Sequence, residues 1–211
     1  MDILTNNIIV KGGWVMLPIL LGSVIALGLA IERGMLLWKT RLNARAFTDG
    51  ILSLVMQGNF AAAAERCAGT IHPIGRVLAA GIELRDRGAD EIEAAMEHAG
   101  NDEVARLEKN MPILMIIVGA EPMLGFLGTI IGLIQAFMAW EKAASSVTVE
   151  QLAAGIYSAM ITTAAGLIVA IPFYIIYNLY TGRINNIARD LNHYGEELVK
   201  TLKSAPQRKR K

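Results

Sequence analysis

Residues Gln151–Gly182 read QLAAGIYSAMITTAAGLIVAIPFYIIYNLYTG, 32 consecutive positions without one charged side chain. An α-helix rises about 1.5 Å per residue, so roughly 20 apolar residues cross the ~30 Å hydrocarbon core of a bilayer. Upstream, Pro112–Trp140 reads PILMIIVGAEPMLGFLGTIIGLIQAFMAW with Glu121 as its one charge, and Gly12–Ile31 has no charge in 20 residues. Core helices of soluble proteins rarely run this far uncharged. The composition of the 211-residue chain agrees, with 54% hydrophobic and 18% charged residues and a mean hydropathy of +0.42. A soluble domain carries about 25% charged residues. The reading is an all-α membrane protein with three transmembrane helices.

Basic side chains set the predicted orientation. Of 20 Lys and Arg residues, 18 lie between spans one and two, beyond span three, or at the inner end of span one as Arg33. Only Lys11 and Lys142 fall on the other side. The positive-inside rule then places the N-terminus outside and the C-terminus in the cytoplasm, an asymmetry that the net charge of +1 conceals. Span one reads as a retained helix and not as a signal peptide. The stretch before it lacks a basic region, its apolar run is too long, and basic residues follow it. The single Cys67 falls on the cytoplasmic side, so no intrachain disulfide is expected.

The predicted organisation is an N-terminal segment with the first span (1–38), a cytoplasmic helical domain (39–110), the second span (111–140), a periplasmic loop (141–150), the third span (151–182), and a cytoplasmic helical extension with a basic tail (183–211). Trp14 and Trp38 mark the ends of span one as interfacial anchors, and Glu32 and Arg33 snorkel at its inner end. In the cytoplasmic domain, Ala44–Met56 and Phe60–Ala68 read as short helices separated by Gln57-Gly58-Asn59. His72-Pro73 reads as a turn, and Ile74–Arg87 as a further helix ended by Gly88. Asp90 with Glu93 resembles a capping box, opening a helix expected to run straight into span two. The short loop makes spans two and three antiparallel neighbours. Ile184, Ile187, Leu191, Tyr194, Leu198 and Leu202 continue a helical period beyond span three. The terminal QRKRK reads as a solvated tail, with contact to anionic membrane lipid as the alternative.

Small and hydroxyl residues line one face of each of the last two spans. Gly125, Gly128, Thr129 and Gly132 do so in span two; Gly155, Ser158, Ala159, Thr162, Thr163, Gly166 and Ala170 do so in span three. Such faces let helices pack closely, and packing alone is one reading of them. The other is a polar pathway. Thr129 lies 11 residues before Trp140 and Thr163 lies 12 after Gln151, so counting places both hydroxyls near mid-bilayer. A hydroxyl does not ionise near neutral pH, yet it hydrogen-bonds a carboxylate, water or ion. A proton path through these threonines therefore needs an acid. Glu121 is the one acid inside a span, eight residues or about 12 Å from Thr129. It reads either as a functional group or as a hydrated interfacial side chain. His72, His98 and His193 show no metal-ligand spacing. Walker and GxSxG motifs are absent. No enzyme activity, metal, cofactor or nucleic-acid partner is expected.

Two segments carry a resemblance. Ala120–Gly132, AEPMLGFLGTIIG, resembles the A-P-x-x-G-x-x-G-T-V-x-G pattern of the ExbB/TolQ/MotA family, and Leu152–Asn178 resembles its partner LAxGIxxALxTTAxGLxVAIPxxxxYN. Glu32-Arg33 is also similar. The resemblance implies an ExbB- or TolQ-like inner-membrane motor subunit that converts proton motive force into work on an envelope process such as outer-membrane transport. It implies a homo-oligomer, a pentamer, around a dimer of a single-span ExbD/TolR-type partner whose transmembrane aspartate carries the proton. By the same carry-over Thr129 and Thr163 line the pathway. Thr162, Ser158 and Glu121 are further candidates for it from their place on these spans, and Gly125, Gly128, Gly132, Gly155 and Gly166 are read from their spacing as helix-packing positions. Some ExbB proteins carry glutamate where this chain has Ser158, and the residue before the motif proline, often Ala, is Glu121 here. A MotA-like motility subunit, Na⁺ in place of H⁺, and a non-conducting scaffold stay open. A secondary transporter is disfavoured, since no inverted repeat is present.

Overall fold

The computed structural model describes residues 12–143 and 149–204. The segment before Gly12, the middle of the predicted 141–150 loop and the basic tail lie outside the described residues. In chain order the helices are α1 (Met16–Lys39), α2 (Ala44–Met56), α3 (Phe60–Ala68), α4 (Pro73–Glu83), α5 (Ala89–Glu108), α6 (Met111–Ala143) and α7 (Val149–Ser204). No strand occurs among the described residues. Three stretches, containing α1, α6 and α7, are long and apolar enough to cross a membrane. The protein is an all-α membrane protein.

The chain forms two compact units, one of Met1–Glu32 with Asn110–Asn178, the other of Arg33–Lys109 with Leu179–Lys211. In the first, Val15, Met16 and Ile19 at the start of α1 are buried against Leu124, Ile131, Ala165 and Val169. Asn110 donates to Glu32 through Nδ2 to Oε2 at 3.1 Å. Large apolar side chains elsewhere face outward, among them Met123, Phe126, Met160 and Ile168. A surface of this kind suits acyl chains or neighbouring helices, whereas a soluble monomer keeps its contiguous apolar patches small.

The second unit has an ordinary core, with Ile51, Val55, Ala63, Cys67, Ile74, Leu78 and Ile82 buried, as are Met96, Ile184, Leu191 and Leu198. Polar side chains start three of its helices. Asn43 accepts from Ala46 N–H at 3.2 Å, Asn59 from Ala62 N–H at 3.3 Å, and His72 Nδ1 from Ile74 N–H at 3.1 Å. Each satisfies a donor that the first helical turn leaves open. Between α2 and α3, Gly58 holds φ +72°, a conformation glycine adopts without strain. Arg76 and Glu103 pair across α4 and α5. Arg33 is buried, its guanidinium donating to the carbonyls of Arg106 at 3.1 Å and Leu107 at 3.4 Å.

Three local expectations are corrected. The helix expected over Ile74–Arg87 runs instead over Pro73–Glu83, with Leu84 as its C-cap and a turn before Gly88. Asp90 and Glu93 do not form a capping box: Gly88 takes the N-cap with no side-chain bond, and Asp90 lies inside the first turn of α5. Nor does one helix run unbroken into span two. α5 ends at Glu108, Lys109 is extended and Asn110 adopts φ 68°. The break precedes Pro112, whose ring would clash with the carbonyl of residue 108 in a continuous helix and which is tolerated in the first turn of a new one.

Candidate functional site

The antiparallel seam between α6 and α7 is built from glycines that meet small or hydroxyl residues. A methyl placed on Gly132 would come within 2.8 Å of the Ala159 Cβ, and one on Gly155 within 2.7 Å of the Ala136 Cβ. One on Gly125 would stand 2.9 Å from the Thr162 carbonyl oxygen, and one on Gly128 would run into the Thr162 side chain. At Gly166 it would stand 2.5 Å from the Glu121 carbonyl oxygen. The five glycines of the sequence reading thus all lie where two helices of one chain approach closely.

The threonines divide. Thr162 is buried, its hydroxyl donating to the Ala159 carbonyl at 2.7 Å with the Gly125 carbonyl at 3.3 Å. Thr163 is half-buried and donates across the seam to the Gly125 carbonyl at 2.9 Å. Thr129, also half-buried, donates back along α6 to the Phe126 carbonyl at 2.6 Å. Thr163 therefore rests against a residue four positions before Thr129, one helical turn nearer the Glu121 end. Residue counting alone puts the two threonines level. With each hydroxyl proton committed to a carbonyl, the oxygens of Thr129 and Thr163 still hold lone pairs for a donor such as water or a protonated acid. The side chain of Ser158 lies outside the described residues.

Glu121 is 2% exposed. Its Oε1 occupies the space that a side chain on Gly22 would fill, so α1 closes over the carboxyl at a glycine. Its Oε2 is buried with no hydrogen-bond partner among the described residues. Gly22 (α1) and Gly166 (α7) thus both approach Glu121, which places this acid among the three spans. Gly22 is the site residue that the sequence reading missed; no periodicity links it to Glu121. No cluster of His, Cys, Asp or Glu capable of holding a metal occurs among the described residues.

Fold and site together define a three-span α-helical membrane protein whose last two spans pack through glycine and threonine beside one intramembrane acid. The chain belongs to the MotA/TolQ/ExbB proton channel family, whose sequence model matches residues 70–193. An ExbB-like 1 biopolymer transport protein of Synechocystis sp. is 37% identical over 168 residues, covering 76% of this chain and 64% of that protein. The Tol-Pal system protein TolQ of Haemophilus influenzae is 37% identical over 108 residues, covering 51% of this chain and 47% of TolQ. The chain thus spans about half to two thirds of the length of these relatives. Among solved structures, C. jejuni MotAB shares the fold with a TM-score of 0.64 at 15% identity, covering 88% of this chain and 75% of that one.

Proposed function

We propose that this chain is the multi-span subunit of an ion-driven motor in the bacterial inner membrane, of the ExbB/TolQ type. It conducts protons together with a single-span ExbD/TolR-type partner and turns proton motive force into work on the cell envelope. One observation carries the reading. Around Thr163 the seam offers hydroxyls and carbonyls, while the one acid of the spans, Glu121, lies a helical turn away sealed under Gly22, so a carboxylate from another chain would complete the path. A transmembrane aspartate of the partner fills that role, with Thr163 and Thr129 as its hydrogen-bonding wall and Glu121 as a relay toward the cytoplasm. A homo-oligomer follows, a pentamer by family analogy, because three helices do not enclose a pore by themselves. The N-terminus is periplasmic and the C-terminus cytoplasmic.

The scaffold reading draws on a specific observation as well: the seam glycines are consumed by packing within one chain. The membrane potential separates the two. One charge crossing the membrane is worth about 2.3 kcal/mol per 100 mV, so conduction depends on the potential and a scaffold is indifferent to it. In vesicles that contain the chain with its partner, acid-outside proton uptake is expected to need the partner and to rise with an inside-negative potential. Uptake that ignores both sinks the motor reading.

A further inference from the structure

In the second unit, a cavity of about 770 Å³ is lined by Gly34, Trp38, Arg41, Asn43, Tyr180 and Arg183. Its walls come from the last turns of α1, the loop that follows, and the stretch of α7 just beyond the third span. In sequence these are the two places where the chain leaves the membrane on its basic side. Basic residues outnumber acids here. Residues 32–49 hold Arg33, Lys39, Arg41 and Arg45 with Glu32 and Asp49 at the two ends, and residues 179–190 hold Arg183 and Arg189 with Asp190. The cavity lining itself carries Arg41 and Arg183 and no acid. Arg41 and Arg183 are exposed, and neither makes an ion pair among the described residues. Asn43 Oδ1 is committed to capping α2, which leaves its amide N–H groups as donors.

These features select a ligand class. Two guanidinium forks and an amide suit a phosphate oxyanion, which arginine binds bidentately. Trp38, 66% exposed, continues the apolar surface of a membrane-crossing helix to the edge of the cavity. A free phosphate has no use for that surface, whereas a lipid glycerol backbone and its first acyl carbons do. Basic pockets between spans on the cytoplasmic side suit anionic headgroups, and indole and phenol rings favour that depth. We propose that this cavity binds the phosphodiester headgroup of an anionic membrane phospholipid. Arg41 and Arg183 hold the phosphate, and Trp38 and Tyr180 lie along the glycerol. The site is independent of the conduction reading.

The test reconstitutes the full chain into phosphatidylcholine nanodiscs. Trp14→Phe and Trp140→Phe leave Trp38 as the chain's one fluorophore of its kind. Brominated phosphatidylglycerol is titrated against brominated phosphatidylcholine, and quenching of Trp38 is read. With about 1 kcal/mol per interfacial cation and tenfold per 1.4 kcal/mol, half-quenching is expected at a fraction of phosphatidylglycerol roughly tenfold or more below that of phosphatidylcholine. Arg41→Gln with Arg183→Gln is expected to remove the preference, and the corresponding Lys pair to keep most of it. Equal quenching by the two lipids in the arginine-bearing protein overturns the proposal even if the Gln pair fails to insert. A preference that survives the Gln pair also overturns it. Relief of quenching by added inorganic phosphate assigns the cavity to a free anion and overturns the lipid source.

Discussion

Glu121 and Gly22 form a contact that neither residue announces alone. A carboxyl in the middle of an apolar run is visible in the sequence, and its rarity there marks it for attention. That it is sealed under α1 at a glycine is not visible, because the meeting depends on how the first span docks and no helical spacing encodes it. Since the Glu121 carboxyl fills the space above Gly22, Gly22→Ala is expected to destabilise the detergent-solubilised protein by about 1–3 kcal/mol, the usual cost of overpacking. In a Glu121→Ala background most of that cost is expected to vanish, a coupling that a double-mutant cycle of thermal unfolding measures. Strictly additive effects would mean the two side chains do not share the space. The threonines teach the same lesson. Adjacent in sequence, Thr162 is buried against Gly128 while Thr163 is half-buried with its hydroxyl on Gly125. Spacing placed both on one small-residue face and had no means of separating them.

Helix starts were the most legible elements where a side chain supplies the cap. Asn43 and Asn59 open α2 and α3, whose limits coincide with those expected from the sequence, and Gly58 turns the chain between them. Where backbone decides, legibility fell. Gly88 took the cap that Asp90 was expected to provide, and Asn110 broke a helix whose apolar period continues across it. His72 is a cap with a titration. Burial pulls its imidazole below the ordinary value of 6.5, with Asp190 opposing and Arg183 reinforcing the shift, and its Nδ1 must stay unprotonated to accept from Ile74. With the folded value below the unfolded one, the unfolded chain binds more protons in between. The contribution of neutral His72 is therefore complete above pH 6.5 and is lost as the pH falls below it. His72→Asn retains a capping oxygen without the titration, so its thermal stability is expected to fall less on acidification through that range. Parallel losses in the two proteins would contradict this role. Cys67, raised to about 11 by burial, stays a thiol and plays no part in that response.

At the scale of the molecule, two uncharged runs and a third with a single acid were enough to read an all-α membrane protein, because a bilayer favours such length with so little charge. The pathway was less legible than the spans. Glycine and threonine serve close packing and proton-path lining equally well, and the structure shows the glycines engaged in packing inside one chain. What the structure leaves for the proposed conduction is the half-buried pair Thr129 and Thr163 with lone pairs to offer and the buried Glu121. The most direct measurement is partner-dependent proton uptake into acid-outside vesicles by the unaltered protein, Thr163→Val and Thr163→Ser, with complex assembly checked in each. The valine matches the shape and deletes the hydroxyl; the serine restores it. A threonine-lined path predicts at least about a tenfold loss for valine, the equivalent of 1.4 kcal/mol in the barrier, and recovery of most of the rate by serine. Equal uptake in all three assembled complexes would leave the seam a packing surface and contradict the account.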